Sequence, residues 1–337
     1  MSVLSLRALY AILGGLLLIT PGKRDSQLFA GDTHAYRDDS SAIIYHGEKN
    51  KSEGYRAAIG YDDGFIAAGS GGQIDRISSS GKITKSEKFP GVNFNCLLSD
   101  QRMLIAAGDN GTLMISSDSG IFRNIDSGTD RNINSLALFN GIIIAGTDRG
   151  EILSGDEKGG FRKILLPVKG NIVSVSARES DCYGVTDEGE IIHSADAINW
   201  DITDFNKVYS GFYKPCYFTR VLVTANRIAV AGMNNDGSPV LMFSSQGGVW
   251  TERSLNYTDD QGMPGFLDDR PNDIFYDYQG DEFFLACNNG RLMKLPSCSQ
   301  CNKLAVLSDE NLTGIAGNNN TMIIVGENFF IRILNIR

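Results

Sequence analysis

The stretch "IAAGDNGTLMISSDSGIFRNI", Ile105 to Ile125, decides the fold, because altered copies of its opening recur along the chain. In register they read "GFIAAGSGG" from Gly64, "MLIAAGDNG" from Met103, "GIIIAGTDRG" from Gly141, "CYGVTDEG" from Cys182, "IAVAGMNNDG" from Ile228, "FFLACNNG" from Phe283 and "MIIVGEN" from Met322. The aligned positions Gly69, Gly108, Gly146, Val185, Gly232, Cys287 and Gly326 are separated by 39, 38, 39, 47, 55 and 39 residues. Seven copies at this period describe repeated supersecondary units that bury their apolar faces against one another.

Each unit has the same grammar. An apolar run ("INSLALF", Ile133) is followed by the run with small residues ("IIIAG"), a Gly-containing turn ("TDRG"), a third run ("EILSG") and a fourth ("FRKILLP"). Short β-forming runs between turn residues predict four antiparallel strands per unit. Ala67, Ala68, Ala106 and Ala107 suit strands crowded on both faces, and Gly supplies the positive φ of tight turns. The fold class expected is all-β: a seven-bladed β-propeller of four-stranded antiparallel blades, from about residue 38 to 337. The last unit stops after "FFIRILNIR", one strand short, while "SAIIYHGE" (Ser41–Glu48) precedes the first unit as a spare. That N-terminal strand is expected to complete the last blade and leave no open sheet edge.

The remaining composition narrows function. A net charge of -9 argues against a nucleic-acid partner, which needs clustered Lys and Arg. Residues 1–30 carry one early Arg and an apolar stretch from Ala8 to Thr20, too short for a comfortable span, and read as a signal peptide or N-terminal anchor. The expected location is secreted, periplasmic or at the cell surface, with no other membrane span. Cys96, Cys182 and Cys287 lie in apolar runs, whereas Cys298 and Cys301 form a CxxC that suits a local disulfide, a redox pair or half of a metal site. No second CxxC completes a zinc site, and His34, His46 and His193 are scattered. No metal site, cofactor or catalytic residue is assigned.

At the turn between third and fourth strands, "SSDSGIF" (Ser116, Asp118, Phe122), "SADAINW" (Ser194, Asp196, Trp200) and "SSQGGVW" (Ser244, Trp250) share a pattern. It resembles the Asp-box, or BNR, repeat of sialidase-like and photosystem II assembly-factor propellers. The resemblance implies a structural role, the short side chains accepting backbone N–H groups across the turn and the aromatic packing between sheets. A sialidase would also show an N-terminal Arg-x-x-Pro or Arg-x-Pro element, three substrate-binding arginines and a Tyr/Glu pair, and the sequence lacks that set. The fold resemblance therefore does not carry the activity.

Function is expected where the repeat is interrupted. The long intervals come from "DFNKVYSGFYKPCYF" (Asp204–Phe218) and "NYTDDQGMPGFLDDRPND" (Asn256–Asp273), each between a fourth strand and the next first strand. In a propeller those connections share a face with the second-to-third-strand turns, so they are expected beside one another and beside "MNNDGSP" (Met233–Pro239). Tyr209, Phe212, Tyr213, Tyr217, Tyr257, Phe266 and Arg270 are the candidate ligand-binding residues. The function expected is a non-enzymatic exported binding or assembly propeller recognising a protein or a glycan around blades 5 and 6. The alternative is a glycoside hydrolase using Asp259, Asp260, Asp268 or Asp269, acids that also suit a cation or a solvated turn.

Overall fold

A computed structural model describes residues 53–336 except 101–102, 118–119, 179, 260 and 299–300. The leader at 1–30 and the strand expected at 41–48 lie outside the described residues. Seven antiparallel sheets follow in chain order at 55–88, 94–124, 133–165, 172–204, 216–252, 271–306 and 312–335. Blades 1 to 6 each have four strands in sequential order, and blade 7 has three among the described residues.

The second strands are the most deeply buried, from end to end at Gly64–Gly69 and Leu104–Gly108 and over all but the terminal residues in the other blades. Neighbouring blades press on both faces, which is why small side chains fill them. Each of seven apolar clusters lies between two adjacent blades, from Ile66, Phe94 and Leu104 between blades 1 and 2 to Tyr55, Ile323 and Ile331 between blades 7 and 1. The core is thus a ring of seven interfaces. Burying each Ile, Leu or Phe contributes about 1.5–3 kcal/mol, and these interfaces supply most of the cohesion.

Hydrogen bonds between innermost strands repeat the circuit. Arg56 reaches Asn95 (2.6 Å), Asn95 reaches the Ile133 carbonyl (3.2 Å), and Asn134 the Ile172 carbonyl (3.2 Å). Ser174 Oγ accepts the Val221 N–H at 3.1 Å, Arg220 pairs with Asp273 at 2.9 Å, and Asp273 accepts the Ile315 N–H at 3.0 Å. Thr313 Oγ1 donates to the Tyr55 carbonyl at 2.6 Å and joins the last blade to the first. A central cavity of about 210 Å3 remains, lined by residues that include Ala57, Ser135, Ser174, Arg220 and Asp273.

One face is defined by a backbone bond present in every blade. The residue after the second strand donates to the residue before the first: Ser70 to Gly54, Asp109 to Asn93, Asp148 to Asn132, Asp187 to Asn171, Asn235 to Pro215, Asn288 to Arg270 and Glu327 to Asn311. The connections between blades therefore share this face, here called upper, with the second-to-third-strand turns, as the sequence reading required. The strand pairing also refines the repeat. Gly69, Gly108, Thr147, Thr186, Asn234, Cys287 and Gly326 are equivalent, so the intervals become 39, 39, 39, 48, 53 and 39. Glycine is required at Gly111, where φ is 70° and a Cβ would sit 1.9 Å from the Thr129 carbonyl oxygen.

Candidate functional site

The first insertion opens with a short helix, Phe205–Val208, capped by Asp204, whose carboxylate accepts the Lys207 N–H at 3.0 Å. Phe205 is buried, and the Tyr209, Phe218, Tyr213 and Trp250 rings surround it at centroid distances of 4.7, 5.5, 5.8 and 6.2 Å. Tyr209 and Tyr213 are half-buried, and their hydroxyls donate to the Gly248 carbonyl (2.7 Å) and the Trp250 carbonyl (2.6 Å). These two candidates hold the insertion down. Phe212 points away, 82% exposed, and Val208 is 58% exposed. Tyr217, 44% exposed, belongs to the first strand of blade 5 rather than to a loop. Lys214 pairs with Asp236 at 2.5 Å, joining the insertion to the Met233–Pro239 turn.

The second insertion contains a two-stranded hairpin, Asn256–Thr258 with Pro264–Phe266. Asp259 closes its turn by accepting the Gln261 and Met263 N–H groups at 2.9 and 2.7 Å. Leu255 and Leu267 anchor the hairpin's two ends in the core between blades 5 and 6, and half-buried Tyr257 packs against that cluster. Phe266 and Met263 are 65% and 61% exposed. Asp268 and Asp269 pair with Arg291 at 2.6 and 2.9 Å, and burial pushes the Asp269 carboxyl above its ordinary range. Arg270 is exposed, its carbonyl taking the blade 6 turn bond. Asp260 lies outside the described residues. Blade 5 stands between the anchors of the two insertions, the first in the blade 4–5 core and the second in the blade 5–6 core.

Sequence reasoning missed a cleft of about 360 Å3 between blades 5 and 6. Its walls include Arg227, Phe243, Arg253, Asp281, Phe283 and Ser297. Phe243 and Phe283 pack at 4.8 Å, with the Arg227 guanidinium 5.9 Å from the Phe243 centroid. Asp281 accepts from Tyr276 (2.8 Å) and Ser297 (2.7 Å), and these bonds hold its carboxyl below the ordinary range. Burial, then the nearby Arg227 cation, lowers the Arg253 pKa. The lining comes from separate strands and turns of two blades, and only the fold assembles it.

The box-like turns lie at the opposite ends of the third strands. Asp196 accepts the Ile198 and Asn199 N–H groups at 2.8 and 2.7 Å, and Ser194 Oγ accepts the Ala197 N–H at 2.8 Å. The Asn199 and Ile198 N–H bonds hold the Asp196 carboxyl far below its ordinary range. Ser244 Oγ accepts the Gly247 N–H at 2.8 Å, and the buried Trp250 indole donates to the Gly247 carbonyl at 3.1 Å. Trp200 packs against the core between blades 3 and 4, and half-buried Phe122 against that between blades 1 and 2. Ser116 is buried, while Asp118 lies outside the described residues.

Among the described residues, no cluster of three or more His, Cys, Asp or Glu can hold a metal ion, and no helix is long and apolar enough to cross a membrane. The ring of seven interfaces settles the architecture. The chain folds as a seven-bladed β-propeller. The WD40 β-propeller domain of Doa1 is similar at 13% identity and a TM-score of 0.66, the match covering 88% of this chain and 96% of that one. The computationally designed Ika8 protein is similar at 9% identity and a TM-score of 0.59, covering 85% and 98%. At these identities the likeness shows the fold alone. No family model matches the chain, and no curated protein matches it.

Proposed function

We propose that this chain is an exported binding or assembly propeller that docks a protein partner through the insertions on either side of blade 5. One observation carries the reading. Phe212, Phe266 and Met263 stay more than 60% exposed although their insertions are fixed, the first by the Tyr209 and Tyr213 hydrogen bonds and the second by the packing of Leu255, Leu267 and Tyr257. Apolar side chains held out from a rigid base offer contact area at low entropic cost. Export rests on the apolar stretch from Ala8 to Thr20. Membership of the Asp-box propellers is part of the proposal and rests on the turn chemistry at Ser194 and Asp196. Glycan recognition is the second ligand class, for which Phe212 and Phe266 offer stacking faces. A glycoside hydrolase needs two carboxylates facing one substrate. Among the described acids, Asp259 closes a hairpin and Asp268 and Asp269 share Arg291, arrangements that do not favour that use.

The test is affinity capture from the host's envelope and secreted fractions, comparing wild type with a Phe212→Ala, Phe266→Ala double variant. A partner retained by wild type and lost by the folded variant is the expected result. Equal retention by both proteins would remove the insertions from recognition.

A further inference from the structure

Four of the six cysteines are chemically silent. Cys96, Cys182, Cys216 and Cys287 are buried, and burial pushes the thiols of Cys96 and Cys182 up to about 12 and that of Cys216 to about 11. Cys298 and Cys301 are the opposite case. Both are exposed, in the turn between the third and fourth strands of blade 6. The Cys301 N–H donates to the Cys298 carbonyl at 3.1 Å, which holds the two residues beside each other. Two exposed cysteines three positions apart and tied by a backbone bond stand within reach of a local disulfide.

The surroundings are cationic. Arg253 and Lys303 lie within electrostatic reach of Cys301, and Arg253 also of Cys298. Arg253 is fixed across the turn by bonds to the Pro296 carbonyl (2.6 Å) and Asn302 Oδ1 (3.1 Å). Asn302 in turn donates to the Ser254 and Asn256 carbonyls at 2.9 and 2.7 Å. A guanidinium held beside a thiol pair favours the thiolate form. Pro296 and Ser297, next to Cys298 in the chain, line the cleft between blades 5 and 6. Cys298 thus stands at the edge of a groove with an aromatic wall and both signs of charge.

We propose that Cys298 and Cys301 are a thiol–disulfide exchange pair acting on a peptide disulfide, with Cys298 as the attacking thiolate and Cys301 as the resolving thiol. Cys298 Sγ attacks one sulfur of the substrate, whose S–S bond breaks and whose other sulfur leaves as a thiolate and takes a proton from water. Cys301 then loses its proton to solvent and attacks Cys298 Sγ, releasing the second substrate thiol. Two electrons pass from the protein dithiol to the substrate disulfide, giving one protein disulfide and two thiols. The assignment of roles follows position: Cys298 adjoins Ser297 in the wall of the cleft, so a substrate seated there meets Cys298 first.

The experiment uses the reduced full chain, glutathione disulfide as the probe and alkylation of remaining thiols followed by mass spectrometry. Across a series of glutathione to glutathione disulfide ratios, Cys298 and Cys301 are expected to lose alkylation together, with no glutathione retained and the four buried cysteines unchanged. Cys301→Ser should stall as a mixed disulfide at Cys298, whereas Cys298→Ser should accumulate far less adduct at Cys301. Arg253→Gln should move the pH profile of Cys298 alkylation upward. Independent glutathione adducts on both cysteines of wild type, or no oxidation at any ratio, would overturn the pair. Faster adduct formation in Cys298→Ser than in Cys301→Ser would overturn the assigned roles.

Discussion

Asn93, Asn132, Asn171 and Asn311 perform one task in four blades. Each accepts, through its side-chain oxygen, the N–H of the residue in the preceding blade's upper turn, Gly71, Asn110, Arg149 and Asn289 in order, at 2.8–3.0 Å. The donor residues all have φ between 54° and 64°, which turns the N–H toward the next blade. This clamp was visible in principle, since Asn93 and Asn95 recur as Asn132 and Asn134 at the repeat spacing, but polar repeats read as generic turn composition until a partner is known. Asp196 offers a sharper test at this scale. Its carboxyl is depressed by the N–H bonds it accepts, so the stabilisation is present above the unfolded carboxylate's pKa of about 4 and is lost as pH falls through the depressed value. Asp196→Ala is expected to lower Tm at pH 7, and the gap from wild type should narrow as pH falls below about 4. A gap that is constant with pH would show that the carboxylate charge plays no part.

The strands were legible because their period and their turns agree. The runs "INSLALF", "IIIAG" and "EILSG" match strands Ile133–Phe139, Ile142–Thr147 and Glu151–Asp156 to within a residue or two. The insertions were legible only as extra length. Nothing in their residues distinguished Tyr209 and Tyr213, which turn inward, from Phe212, which turns out; the outcome depends on the carbonyls of a distant turn at Gly248 and Trp250. That division predicts opposite phenotypes within one insertion. Phe205→Ala removes the ring at the centre of the aromatic cluster and should cost about 3–5 kcal/mol in urea unfolding. Phe212→Ala, on an exposed ring, should stay within about 0.5 kcal/mol of wild type while weakening any partner bound there. Equal losses of stability would mean that Phe212 belongs to the core of the folded insertion.

At the scale of the whole molecule, a closed ring depends on every interface at once, because no blade has a free outer neighbour. Apolar burial supplies most of each interface, but it is non-directional and does not fix how one inner strand is set against the next. Asp273 does this for two interfaces together. Its Oδ1 takes the Arg220 Nε–H of blade 5 at 2.9 Å, and its Oδ2 takes the Ile315 N–H of blade 7 at 3.0 Å. Both side chains of the ion pair are 18% exposed in the wall of the central cavity. Removing the carboxylate leaves a guanidinium and the Ile274 and Ile315 backbone N–H groups without this acceptor, a cost of about 3 kcal/mol, at the low end for a broken buried pair because some water reaches it. Asp273→Ala should therefore lower the urea midpoint markedly, and Asp273→Asn, which keeps one acceptor oxygen, should lower it less. Because the lost bonds belong to two interfaces, Trp fluorescence from blades 4 and 5 and far-UV dichroism from all seven should shift together. A shift confined to the fluorescence would mean that the blades come apart separately and that Asp273 does not couple the ring; an unchanged midpoint would mean that apolar burial alone sets the inner strands.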